Sequence, residues 1–90
     1  MLSFEDCVAL SGLTEDEIDA IAQHEHLPEI VALELGTYLL HQPDGTLRIR
    51  AMILDDIAAA EAAGNRDRLL VLKATLKHFV DTHPDNPKNR

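Results

Sequence analysis

The sequence predicts an all-α domain: a small irregular antiparallel helical bundle with four principal helices, about 14–25, 28–40, 46–63 and 66–82, and a short N-terminal helix, about 3–10. Three observations predict it. Apolar residues recur at three- and four-residue steps and nowhere alternate as they would along a half-buried strand. Capping residues, glycines and prolines stand at the ends of those periodic stretches. The connections between them are short, as they are between neighbours in a bundle. Residues 1–83 read as one domain and 84–90 as a frayed polar tail.

The N-terminal helix opens at Ser3, with Asp6 where a capping box usually has Glu or Gln. Phe4, Cys7, Val8 and Leu10 form its apolar face, and Gly12 ends it. A helix this short has no stability of its own, so Phe4 must pack on something. Thr14-Glu15-Asp16-Glu17 is a cleaner start. Thr14 and Glu17 can cap each other reciprocally, and three acids in the first turn oppose the positive end of the helix dipole. Leu13 stands before the cap as a staple, and Ile18, Ile21 and Ala22 follow at helical spacing.

Pro28 fixes a corner. Proline is tolerated in a helix only in its first turn, and the residue before it is biased away from helical geometry. Leu27 therefore marks the break, and the third helix starts near Pro28. Its apolar residues, Ile30, Val31, Ala32, Leu33, Leu35, Leu39 and Leu40 with Tyr38, cover most of the circumference and leave Glu29, Glu34 and Thr37 as a polar strip. A helix apolar nearly all round is expected to be central or shared with a second chain.

His41-Gln42-Pro43-Asp44-Gly45 is a turn by composition. Thr46 is the expected cap of the fourth helix and Gly64 its stop. Ile49, Met52, Ile53, Ile57, Ala60 and Ala63 make one stripe, widened by Ala58, Ala59 and Ala62 into a ridge of small side chains. Asn65 or Asp67 opens the fifth helix, whose apolar residues are Leu69, Leu72, Leu76, Phe79 and Val80. Arg66, Lys73 and Lys77 lie together on its outer side, and His83-Pro84 ends it.

Net charge is −8, against the clustered bases that phosphate binding requires. The distribution is uneven: residues 1–45 carry −10 with no Lys or Arg, and residues 46–90 carry +2. Such asymmetry can steer association with a complementary surface. The second and third helices superficially suggest helix-turn-helix, but residues 28–40 contain no Lys, Arg, Asn or Gln to meet bases or phosphates. No nucleic acid is expected, and no apolar run is long enough to span a bilayer. Cys7 has no partner for an intrachain disulfide, and Glu5 and Asp6 stand where a secretory leader would be basic. The expectation is an acidic cytoplasmic protein.

Two functional readings follow. There is no Gly-rich phosphate loop, nucleophile motif or second cysteine, so neither catalysis nor a cofactor is expected. The first reading is a non-enzymatic protein-interaction module that binds itself or a protein partner. Its candidate contact residues are Ile30, Val31, Leu35, Tyr38 and Leu39, because the third helix carries more apolar surface than one small core needs. The basic strip Arg66, Lys73 and Lys77 could meet the acids at positions 15–19, within one chain or between two. The alternative is a metal site built from His24, His26 and Glu29, whose side chains suit zinc or iron. Its spacing is poor. His24 and His26 point about 200° apart on a helix, and Pro28 lies between His26 and Glu29.

Overall fold

The computed structural model describes residues 1–84 and contains five helices and, among these residues, no strand. They are α1 (Phe4–Ser11), α2 (Glu15–Glu25), α3 (Glu29–Leu40), α4 (Gly45–Ala63) and α5 (Arg66–Thr82). Beyond Pro84, the expected polar tail lies outside the described residues. The chain forms a helical bundle whose Cα atoms span 38 × 38 × 19 Å, a slab roughly two helices deep at the usual interaxial spacing.

The helix ends follow local chemistry. Ser3 and Asp6 do form a complete capping box, the shorter acid reaching the Ser3 amide at 3.2 Å. In the second box the Thr14 amide donates to Glu17 Oε1 at 2.8 Å and the Glu17 amide to Thr14 Oγ1 at 3.2 Å. α2 ends at His26, a non-glycine residue in the left-handed region (φ 57°). The Leu27 amide then folds back to the Ala22 carbonyl at 2.9 Å, closing the helix as such caps do. Pro28 sits one residue outside α3, extended at φ −61° and ψ 153°, and its carbonyl accepts from Val31 and Ala32. Gly64 (φ 69°) and Asn65, which accepts from the Arg68 amide at 3.1 Å, make the last corner. Thr46 is not the cap of α4. The helix begins a residue earlier, with Asp44 in the cap position and no side-chain capping bond.

The core runs through Leu13, Ile18, Ile21, Leu33, Leu39, Ile49, Ile53, Leu72 and Phe79, with Ala20, Ala22, Ala32 and Ala60 where helices approach closely. α2 packs on α3, α4 and α5, and α4 packs on α2, α3 and α5. α3 packs on α1, α2 and α4, so the centre is shared by α2, α3 and α4, with α2 the most buried. α2 buries Glu17, Ile18, Ala20, Ile21 and Ala22, whereas α3 buries only Ala32, Leu33, Gly36 and Leu39. The outer face of α3 stays open. α1 has no buried residue and leans on α3 through Phe4, Cys7 and Val8; Leu10, expected on its inner face, is 74% exposed. The alanine ridge of α4 also faces outward: Ala58, Ala59, Ala62 and Ala63 are exposed.

Candidate functional site

An open apolar concavity of about 570 Å³ lies between α1 and α3. Leu2, Cys7, Leu10, Ile30, Leu33 and Tyr38 form its walls, and Ser11, Glu34 and Thr37 its polar edge. Helical spacing explains the α3 wall. Ile30, Leu33, Glu34, Thr37 and Tyr38 follow three- and four-residue steps along one face. Ala32, Gly36 and Leu39 follow the same rule on the face turned to the core. Gly36 marks that inner side, because a Cβ there would meet Leu13 Cδ1 at 2.6 Å and Ile21 Cδ1 at 3.0 Å. The opposite wall exists because α1 reaches the rest of the chain mainly through α3 and leaves Leu2 and Leu10 projecting.

The candidate contact residues separate accordingly. Ile30 (50% exposed) and Tyr38 (60%) line the groove, and Val31 is exposed outside its walls. Leu35 is half-buried against the core. Leu39 is only 3% exposed and is corrected to a core residue. It stands seven residues after Ala32, two helical turns on, and so shares that inward face. The α1 wall was not legible as a site: Cys7 and Leu10 read as the inner face of a short helix, and Leu2 precedes that helix.

A second cluster is polar and joins α2, α4 and α5. His24 places Nδ1 2.7 Å from Glu25 Oε2 and Nε2 2.9 Å from Asp55 Oδ2. Arg68 Nη1 donates to Asp19 Oδ2 at 2.9 Å. Asp56 lies within the field of both His24 and Arg68. Burial pushes its carboxyl above the usual range, against the downward pull of those two cations. Glu29 is raised as well, first by burial and then by Asp19 and Glu15, which crowd it with like charge. These partners are far apart in sequence, and the cluster acts as a clamp between helices.

The metal alternative loses its geometry here. His24 is turned to Asp55, His26 is an exposed left-handed cap, and Glu29 lies against Asp19. Among the described residues no group of three His, Cys, Asp or Glu side chains is placed to hold a metal ion. One member of the basic strip has another partner than expected, and one of the acids is met from outside the strip. Asp19 is met by Arg68, and Lys77 pairs with Asp81 one turn along its own helix.

His24 gives the clamp a pH dependence. Burial lowers its pKa, but the hydrogen bonds to Asp55 and Glu25, with the charge of Asp56, outweigh burial and hold it above the usual 6.5. Neutral imidazole has one N–H; only imidazolium can donate to both carboxylates. A raised folded-state pKa contributes stability that is complete below 6.5 and is lost as pH rises through the folded value. His24→Gln is therefore expected to cost more stability near pH 5.5 than near pH 8.5 in urea melts. An equal loss at both would show that the proton does not matter.

No helix among the described residues is long and apolar enough to cross a membrane. No protein-family model, curated protein or solved structure matches the chain. The functional reading is carried by its own surfaces.

Proposed function

We propose that the chain is a small non-enzymatic cytoplasmic protein-interaction module, and that its α1/α3 groove seats an apolar segment of a protein partner. One observation carries this: Leu2, Leu10, Ile30 and Tyr38, all strongly exposed, border a single concavity built by two helices. Isolated exposed apolar residues are ordinary, but a joined patch with a polar edge is the usual mark of a contact surface. Completing the burial of four such side chains is worth roughly 4–6 kcal/mol gross, before the cost of association. That suits a reversible contact. The lone Cys7 agrees with a reducing compartment.

A photo-crosslinking residue at position 10 or 38 is expected to give discrete protein adducts in cells. One at position 62, on the exposed face of α4, should not. Ile30→Lys should abolish the adducts while leaving the helical circular dichroism unchanged. Equal yield from position 62, or no adduct from either groove position, would overturn the proposal.

A further inference from the structure

Besides the α1/α3 groove and the outward face of α4, the chain exposes apolar side chains on α5, and there they are flanked by bases. The outer face of α5 exposes Leu70 (68%) and Val71, with Arg66, Lys73 and Lys77 exposed beside them. Arg66, Leu70, Lys73 and Lys77 fall on one stripe at steps of four, three and four. Asp81 holds Lys77 at 2.9 Å and Asp67 is exposed to one side, so the basic part of this face is the stripe on which Arg66 and Lys73 flank Leu70. A cleft of about 530 Å³ opens next to them at the α4–α5 corner, lined in part by Ala60, Glu61, Gly64 and Leu69, so the surface can receive a projecting side chain. α5 packs on α2 and α4, which lie between it and α3. The two surfaces therefore sit on different sides of the molecule and cannot cover each other within one chain.

The groove belongs to the half of the chain that carries −10 and has no base, with Glu34 on its edge and Glu5 and Asp6 exposed on α1. Two grooves facing each other across a two-fold axis would set acid against acid. A groove facing α5 sets acid against Arg66 and Lys73. We infer that the groove's occupant is the outer face of α5 of a second copy of this chain, so that copies associate head to tail. This rests on the groove being a docking site, as proposed above. The α5 stripe from Arg66 to Lys77, about 17 Å, is long enough to cover the α3 wall from Ile30 to Tyr38, about 12 Å. Such a contact leaves a free groove at one end and a free α5 at the other, so it propagates into rings or open chains unless capped.

Two double variants separate the surfaces: Leu10→Lys with Tyr38→Lys in the groove, and Leu70→Ser with Lys73→Gln on α5, chosen neutral so that the two altered surfaces do not attract each other. All four positions are exposed. If either variant loses its helical circular dichroism, Leu10→Ser with Tyr38→Ser, or Leu70→Ala with Lys73→Gln, replaces it. In sedimentation velocity at up to roughly 100 μM, the wild type is expected to grow beyond a dimer as concentration rises. Its apparent Kd should weaken about tenfold between about 50 and 500 mM salt. Each variant alone should stay monomeric, and an equimolar mixture should give a dimer and nothing larger, because each variant keeps one working surface. A monomeric wild type, a mixture that stays monomeric, or association that strengthens with salt overturns the inference. If crosslinks from positions 10 and 38 then reach a different protein, the groove stands as a docking site with another occupant. If they reach nothing, both readings fail.

Discussion

Gly45→Ala is expected to destabilise the protein by about 3 kcal/mol or more, as overpacking against backbone does. A Cβ at this buried position would fall on the Leu39 carbonyl, on backbone rather than on the movable end of a side chain. Leu39 cannot yield cheaply. It lies in the last turn of α3, is itself core, and its carbonyl also accepts from the Gln42 amide at 2.9 Å. The turn between α3 and α4 would have to open, pulling those two helices apart. Gly64→Ala is the matched control: that glycine has φ 69° but nothing within 4 Å of an added Cβ, so it bears only the left-handed penalty of about 1–2 kcal/mol. Urea melts of the two variants should differ clearly in midpoint. Equal midpoints would show that the approach at Gly45 relaxes without cost.

Phe79→Ala is expected to cost about 3–5 kcal/mol, the range for emptying an aromatic site in a packed core. Phe79 is the largest fully buried side chain. Its ring also stacks on His83, with centroids 4.5 Å apart and planes 20° apart. The His83 amide also donates to the Phe79 carbonyl at 2.8 Å, a backbone bond that the alanine variant keeps, so the loss comes from the ring. With so few aromatics in the chain, no neighbour of similar bulk can fill the space. Val80→Ala, one position on and partly exposed, should cost well under half as much. Calorimetric midpoints would check the pair, and similar losses at both positions would contradict the burial assigned to Phe79.

Helix ends were the most legible part of this fold because they are set by neighbours in sequence. Ser3 with Asp6, Thr14 with Glu17, Pro28, Gly64 and Asn65 each satisfy backbone groups within a few residues. Which helix is central depends instead on contacts between distant segments. The three acids that open α2 suggest an outer helix, yet Glu17 serves its cap while fully buried. α3 is more apolar and less buried. Its inward face is marked by Ala32 and Gly36, small residues that periodicity of large side chains does not count. The groove was half legible: Ile30 and Tyr38 were visible as surplus apolar surface, but the Leu10 wall depends on how α1 leans on α3. The clamp of His24, Asp55, Asp56, Arg68 and Asp19 was not legible, because partners 31 and 49 residues apart leave no local pattern.

α1 buries no residue and packs chiefly on one neighbour. Segments held this loosely open far more often than the whole chain unfolds. Because α1 supplies one wall of the groove, each opening also removes the site. Occupancy and the docking of α1 are then a single linked equilibrium: whatever fills the groove slows exchange of the α1 amides, and whatever frees α1 releases the occupant.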